Sequence, residues 1–144
     1  SKESDLKPVV SAVLAKLAKV ERQDGCAVLA LHGDLGAGKT TFMQYLAKAL
    51  GIKEVVISPT FVVMKHYEIT DSKAGSWQDL YHLDAYRIEE IDEMRPLGFA
   101  DLLTKPNTLV AIEWAEKIEE LLPSWTLHLR FAISGEERTI TMEE

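Results

Sequence analysis

Eight consecutive residues in the first third of the chain have the composition of a phosphate-binding loop. Residues 33–40 read Gly-Asp-Leu-Gly-Ala-Gly-Lys-Thr and match the pattern G-x-x-x-x-G-K-[ST] at every fixed position. The glycines remove side chains, so backbone N–H groups can close around a phosphate chain. The ammonium of Lys39 suits the outer phosphates, and the hydroxyl of Thr40 is a ligand for Mg²⁺. The octet therefore predicts a site for a magnesium-bound polyphosphate.

The segments on either side of the octet have the character that such a loop requires. Residues 25–31 form an apolar run of strand length, and residues 41–47 have helical composition. A helix that begins directly after the loop adds its N-terminal N–H groups and the positive end of its dipole to the attraction for anions. The alternative interpretation is a glycine-rich turn that binds nothing. Strand, loop and helix in this order favour nucleotide binding.

Two acidic residues follow apolar runs and are candidates for catalysis and metal binding. Glu113 ends the run Leu109-Val110-Ala111-Ile112, and Asp84 follows Tyr81-His82-Leu83. A nucleoside triphosphatase needs a carboxylate at the carboxyl end of a neighbouring strand, where it holds Mg²⁺ or its water shell. Glu113 and Asp84 are therefore predicted to act with Lys39 in catalysis and with Thr40 at the metal. The alternative for each acid is a solvated side chain at the end of a strand.

Thr60 is a further candidate, because the segment Ser58-Pro59-Thr60 combines a rigid backbone with a hydroxyl that could reach the γ-phosphate or the metal. A turn whose hydroxyl caps local backbone is an equally good interpretation of this segment. The residues expected to contact the nucleotide are Asp34, Leu35, Gly36, Ala37, Gly38, Lys39, Thr40, Thr41 and Thr60.

The remaining polar and aromatic candidates have simpler interpretations. The histidines show no metal-ligand spacing, so each is predicted to be a strand residue; they are His32, His66, His82 and His128. His82 precedes Asp84 by two residues and therefore shares its strand face. Trp114 is either core or a wall of the nucleotide site, and core is the preferred interpretation. The acids of residues 89–93 are expected to form a solvated helix face.

Composition limits the possible classes of protein. The chain has 144 residues, a net charge of −7 and a single cysteine, Cys26. Its length predicts one domain spanning residues 1–144. The lone cysteine, in an apolar run, is expected in the core and fits a reducing cytoplasm. No apolar stretch reaches the length of a membrane span. Five scattered arginines and the negative charge argue against strong direct binding of nucleic acid.

The elements that must position these residues alternate between strands and helices. This alternation predicts an α/β, P-loop NTPase-like three-layer sandwich with a central mixed sheet. Helices are expected at residues 5–20, from the loop to Gly51, as two short helices within 89–103, and at 114–122. Strands are expected at 25–31, 55–57 and 108–113, in a hairpin of 61–67 with 77–86, and in a terminal hairpin of 126–133 with 138–142.

Four segments in this order resemble the TsaE family, small bacterial ATPases of tRNA threonylcarbamoyladenosine biosynthesis. They are residues 33–42, Ser-Pro-Thr-Phe at 58–61, His-Leu-Asp-Ala-Tyr-Arg at 82–87 and Ile-Glu-Trp-Ala-Glu at 112–116. The resemblance implies binding of ATP and Mg²⁺ and a weak intrinsic ATPase activity. It also implies association with TsaB and TsaD, and contact with tRNA only indirectly, through these partners. It also implies nucleotide and metal roles for Lys39, Thr40 and Thr41, a switch-like role for Thr60, and a requirement for Asp84 and Glu113.

Three hypotheses about activity follow. The first is ATP hydrolysis in which Lys39 and Mg²⁺ neutralise charge on the phosphates and Glu113 orients water. The second is a nucleotide-gated binding module, in which ATP occupancy rather than hydrolysis matters. The third is a small-molecule kinase, which the sparse arginines argue against. A signalling GTPase is disfavoured because the chain lacks an Asn-Lys-x-Asp segment.

Overall fold

A computed structural model describes residues 6–19, 26–33, 38–52, 64–69, 77–86, 88–134 and 137–143 of the chain. Several sequence-based predictions concern residues outside these ranges. They are the loop residues Asp34, Leu35, Gly36 and Ala37, the short strand at 55–57, the segment Ser58-Pro59-Thr60 and the turn at 71–76.

A six-stranded mixed sheet forms the centre of the described structure, in the order β2-β3-β4-β1-β5-β6. The inner strands β3, β4, β1 and β5 run parallel, whereas β2 pairs with β3 and β6 pairs with β5 in antiparallel fashion. Both predicted hairpins and the mixed sheet are thereby confirmed. The strands are β1 Ala27–His32, β2 Met64–Glu68, β3 Asp79–Asp84, β4 Thr108–Glu113, β5 Leu127–Ser134 and β6 Glu137–Glu143.

The helices agree with the sequence apart from small differences at their ends. The two short helices predicted within 89–103 are present, the first of them as a 3₁₀ helix, and the helix predicted at 114–122 is also a 3₁₀ helix. It starts one residue later because Trp114 has a left-handed backbone, and Ile118 interrupts it with φ −127°. None of the helices in the described ranges has the length and apolarity of a bilayer crossing. The helices are α1 Leu6–Lys19, α2 Lys39–Ala49, the 3₁₀ helix Ile91–Leu97, α3 Phe99–Leu102 and the 3₁₀ helix Ala115–Leu121.

Two apolar layers cover the two faces of the sheet, so the predicted three-layer arrangement is correct. We call the first the α2 face: α1 and α2 pack there against Leu29, Leu31 and Leu109. We call the second the histidine face, for reasons given below; the helices between 91 and 121 pack there against Val28, Val110 and other residues of the alternate set. Cys26 belongs to this second cluster, as predicted.

Burial of both faces explains the sequence of the central strands. Every residue of β1 and β4 is buried, which is why their sequences are continuous apolar runs rather than alternating ones. Each fully buried leucine side chain in these strands stabilises the fold by about 2 kcal/mol. Of the polar exceptions, Thr108 begins β4, whereas His32 and Glu113 lie at the carboxyl ends of β1 and β4. The sheet thus gives a rigid frame to chemistry placed at that edge.

Candidate nucleotide site at the carboxyl edge of the sheet

Glycines at both ends of the phosphate-binding loop are required by the backbone. Gly33 follows β1 directly and has φ +140°, and a Cβ there would lie 2.6 Å from the carbonyl oxygen of Phe131. Gly38 precedes α2 with φ +101° and ψ 12°, a left-handed conformation that favours glycine. Contact with Phe131 excludes a larger side chain at Gly33, and the left-handed backbone disfavours one at Gly38. The sequence motif therefore reflects backbone geometry as well as ligand chemistry.

The N-terminal end of α2 lies beside the carboxyl end of β4, where Thr40 contacts Glu113. Its intrahelical hydrogen bonds begin with the N–H of Phe42, which donates to the carbonyl of Gly38 at 2.9 Å. The preceding N–H groups, including those of Lys39, Thr40 and Thr41, lie before that first bond. The N-cap residue Gly38 provides no side-chain cap, and the first turn of the helix contains no acidic residue. An anion is the partner that such a helix end favours.

Lys39 is a buried cation at the start of α2, with only 5% of its surface exposed. Its ammonium donates a hydrogen bond to the carbonyl of Gly33 and lies 3.6 Å from the centroid of the Trp114 ring. A desolvated contact of this kind stabilises by up to about 2 kcal/mol. Trp114 also packs against the apolar cluster of the histidine face. It is therefore both a core residue and a wall beside Lys39.

Glu113 is held by two neighbours, one on each carboxylate oxygen. The hydroxyl of Thr40 donates to Oε1 at 3.2 Å, and His82 Nε2 contacts Oε2 at 2.6 Å. Because an ionised carboxylate only accepts hydrogen bonds, His82 Nε2 is the donor. Glu113 is 3% exposed and the His82 side chain is fully buried. These contacts fix the carboxylate in one orientation at the end of β4.

Asp84 is the register partner of Glu113, at the end of the adjacent parallel strand. It is buried, and its Oδ1 accepts a hydrogen bond from the N–H of Tyr86 at 2.9 Å. Register partners on neighbouring strands point to the same side of a sheet, and this side is the α2 face. The carboxyl edge of parallel strands is also where ligands bind in folds of this class.

The described members of the predicted site lie at one edge of the sheet, and their functional roles stay predictions. Thr40 contacts Glu113, Asp84 is the register partner of Glu113, and the oxygen atoms of all three are the hard donors that Mg²⁺ prefers. Lys39 lies beside them, and the half-buried Thr41 continues the first turn of α2. The predicted contacts of Asp34, Leu35, Gly36, Ala37 and Thr60 lie outside the described residues and stay predictions.

Two contacts of the site were not predicted from the sequence. The strand period placed His82 on the face of Asp84, but its hydrogen bond with Glu113 depends on the register between β3 and β4. The approach of Lys39 to Trp114 depends on a left-handed backbone at Trp114, with φ 56°. Positive φ at a tryptophan costs about 1–3 kcal/mol, and such strain is concentrated at functional sites. The sequence Ile-Glu-Trp does not indicate the left-handed backbone at Trp114.

Comparisons with known proteins agree with this geometry. A family model described as "Threonylcarbamoyl adenosine biosynthesis protein TsaE" matches residues 5–140. The tRNA threonylcarbamoyladenosine biosynthesis protein TsaE of Bacillus subtilis is 40% identical over 135 residues, which cover 93% of this chain and 79% of that protein. Its counterpart from Borreliella burgdorferi is 32% identical over 116 residues, or 80% of each chain.

A solved structure is similar over nearly the whole chain. The crystal structure of Bacillus subtilis YdiB has a TM-score of 0.67 and 31% identity, and the match covers 99% of this chain and 80% of that one. Its fold is the α/β, P-loop NTPase-like architecture described above. The match extends through both apolar layers, because it leaves almost no part of this chain uncovered.

Proposed function

We propose that this chain, which belongs to the TsaE family, binds and hydrolyses Mg–ATP in support of threonylcarbamoyladenosine modification of tRNA. The observation that favours this function most is the hydrogen bond between Thr40 and Glu113, 3.2 Å long. It joins the end of the phosphate-binding motif to the acid that a triphosphatase requires on a neighbouring strand. A glycine-rich turn without a ligand gives no reason for this contact between the half-buried Thr40 and the buried Glu113.

The residues of the loop and of α2 are proposed to bind the phosphates. Backbone N–H groups from Gly36 to Thr41 would surround them, with Asp34, Leu35 and Ala37 completing the loop. Lys39 neutralises charge that develops on the γ-phosphoryl oxygens, and its buried position increases that effect. Thr60 is proposed to contact the γ-phosphate or metal. Adenine as the base is proposed from family membership.

The acids are proposed to act at the metal and the attacking water. Mg²⁺, when bound, would withdraw electron density from the phosphoryl group and neutralise its charge. Thr40, Asp84 and Glu113 would hold it through oxygen atoms or through its water shell. Glu113 orients the attacking water, and His82 keeps the Glu113 carboxylate from rotating. Because a rigidly held carboxylate needs no reorganisation during the reaction, this arrangement lowers the barrier.

The variant Glu113→Gln tests this assignment. It keeps the size of the side chain and removes the charge, so we expect nucleotide affinity within a few fold of wild type and turnover lower by about 100-fold. Phosphate release measures turnover and calorimetry with a non-hydrolysable ATP analogue measures affinity. Glu120→Gln, an exposed glutamate on the following helix, is the matched control. Wild-type turnover in Glu113→Gln would remove Glu113 from catalysis.

The proposed partners are TsaB- and TsaD-type proteins, with tRNA met indirectly through them in the cytoplasm, where tRNA is modified. The net charge of −7 supports an indirect role, since direct binding to a polyanion needs many basic contacts. Co-purification with TsaB and TsaD in the presence of ATP, and its loss without ATP, is the expected result. ATP-independent capture, or no capture, would contradict nucleotide-dependent assembly.

The Glu113→Gln variant also separates hydrolysis from occupancy. A nucleotide-gated binding module would keep full modification of tRNA when Glu113→Gln binds ATP without turnover. A hydrolysing enzyme would lose it. Analysis of the products addresses the kinase alternative, because phosphate release without a phosphorylated acceptor excludes it.

A further inference from the structure

Two histidines that are 96 residues apart in sequence meet on the face of the sheet opposite the nucleotide site. His32 ends β1, and His128 lies on β5, which pairs with β1 in parallel. His32 Nε2 and His128 Nδ1 are 2.8 Å apart, and the rings stack with centroids 5.0 Å apart at an angle of 25°. Both side chains point away from α2, because the alternate residues of each strand belong to the α2 cluster.

Glu119 completes a three-residue cluster with this pair. It lies on the 3₁₀ helix Ala115–Leu121, which packs against this face through Ile118. One ligand atom each from His32, His128 and Glu119 lie within 4.8 Å of one another. Burial decreases across the cluster, from buried His32 through half-buried His128 to exposed Glu119. The cluster is therefore anchored in the core and open to solvent on one side.

The charged groups around the cluster include two acids that favour a bound cation. Burial of His32 lowers its pKa, because desolvation disfavours the protonated ring. Nearby Glu116 and Glu119 favour positive charge at this place, whereas Arg130 and His128 oppose it. The guanidinium of Arg130 is itself paired with Glu143 at 2.5 Å, which reduces its repulsion of a cation.

The hydrogen bonding of His32 gives no structural reason for its burial. Within the described part of the chain, its Nδ1 is buried without a hydrogen-bond partner. The single hydrogen bond to His128 is weak compensation for removing His32 from water. Coordination would replace that hydrogen bond with two metal–nitrogen bonds. Zinc–nitrogen bonds of about 2.0–2.1 Å in tetrahedral geometry place the nitrogens about 3.3 Å apart, so the half-buried His128 needs to move by only about 0.5 Å.

We propose that His32, His128 and Glu119 bind a transition-metal cation of the Zn²⁺ class. Two imidazole nitrogens and one carboxylate oxygen are a known zinc ligand set, with a fourth position left for water or another ligand. The site would join β1, β5 and the 3₁₀ helix Ala115–Leu121. His32 immediately precedes the phosphate-binding loop, and this helix follows Glu113 and Trp114. A cation bound on the histidine face would therefore link the two segments that form the nucleotide site on the α2 face.

Metal titration of the full chain without nucleotide tests the proposal. After treatment with EDTA and its removal, ZnCl₂ is titrated in competition with a chromogenic chelator. We expect one equivalent of Zn²⁺ to bind, and Co²⁺ in its place to give the intense visible absorption of a tetrahedral site. Glu119→Gln and His128→Asn should each weaken Zn²⁺ binding about tenfold or more. Both changes are at side chains that are exposed or half-buried, so the fold should be retained.

Matched controls distinguish this site from other metal-binding places. Glu120→Gln changes the neighbouring exposed glutamate, and His66→Asn changes an exposed histidine on β2. Neither should alter Zn²⁺ affinity. Thr40→Val should also leave it unchanged, since Thr40 lies on the α2 face. The proposal is wrong if no equivalent binds, if Glu119→Gln and His128→Asn bind as wild type does, or if Thr40→Val abolishes the binding.

Discussion

On the α2 face, the carboxyl edge of the sheet brings together oxygen donors and one buried ammonium, whereas on the histidine face it brings together two imidazoles and a carboxylate. Glu113 contacts Thr40, and Asp84 is the register partner of Glu113 on the same face, while His32 contacts His128. Hard oxygen donors suit Mg²⁺, and imidazoles suit zinc-like ions. The two faces of the sheet therefore present different donor atoms: oxygen atoms on the α2 face, and mainly imidazole nitrogens on the histidine face.

The difference between the faces follows from strand geometry. Successive side chains of a strand point to opposite faces, so Leu31 belongs to the α2 cluster and the adjacent His32 does not. The ligand preference of each face then depends on which residues of neighbouring strands share that face. Substitutions confined to one face should therefore leave the other face intact. Substitutions on each face in turn can test this independence.

The largest expected effect is on the α2 face, in Lys39→Ala. Loss of the buried ammonium should lower ATP hydrolysis by about 100- to 1000-fold, because charge on the phosphates is no longer neutralised. Phosphate release measures this effect, and Zn²⁺ binding on the histidine face should be unchanged. Lys48→Ala, an exposed lysine of the same helix, is the control. Hydrolysis that survives in Lys39→Ala would contradict the proposed role of Lys39.

The next largest effect is on stability, and it concerns Gly33, which directly follows β1. In Gly33→Ala, the new methyl group meets the carbonyl oxygen of Phe131 at 2.6 Å in a left-handed backbone region. We expect a loss of about 3 kcal/mol in the free energy of unfolding. Gly98→Ala is the matched control, because Gly98 also has positive φ but no atom within 4 Å of the added Cβ. Its cost should be only about 1 kcal/mol, as urea denaturation can measure.

A smaller effect should follow from His82→Leu, which removes the hydrogen bond to Glu113 and no predicted ligand. We expect kcat to fall about tenfold while ATP affinity changes little, since a loosely held carboxylate orients water poorly. His66→Leu, on the exposed edge strand, should behave as wild type. Equal losses in kcat and in affinity would indicate instead that His82 supports the whole nucleotide site.

The smallest effect is a pH dependence in the helical layer over the histidine face. Glu93 Oε2 accepts hydrogen bonds from the N–H groups of Glu89 and Glu90 at 2.7 and 2.8 Å. These two hydrogen bonds lower the pKa of Glu93 below 4.5 in the folded state, and the bond from Glu90 has the larger effect. The unfolded chain therefore takes up this proton first as pH falls, so stability decreases from about pH 4.5 downward through the folded pKa.

Glu93→Gln should remove that part of the acid sensitivity, measured as the thermal midpoint between pH 6 and pH 3. Glu89→Gln is the control, because the contribution of Glu89 to this cap is its backbone N–H. An unchanged pH dependence in Glu93→Gln would show that the cap has no influence on stability.

Local patterns were sufficient to predict most of the fold. The continuous apolar run at 108–113 predicted a strand buried on both faces, and the segments around the glycine–lysine motif predicted β1 and α2. These predictions were correct because each depends on the hydrophobic pattern of neighbouring residues. The helix after Glu113 was also predicted, but no local pattern indicates that it is a 3₁₀ helix or that Trp114 has a left-handed backbone.

Sequence by itself determined which residues could do chemistry, since residue type decides charge, donor atoms and backbone freedom. Only the tertiary structure decided which of them meet. Thr40 and Glu113 are 73 residues apart, and His32 and His128 are 96 apart. The packing of α2 on the sheet joins the first pair, and the parallel pairing of β1 with β5 joins the second. Sequence spacing therefore gave no metal-ligand pattern for the histidines. Register depends on packing of the whole sheet, and for that reason a contact between distant strands has no local signature.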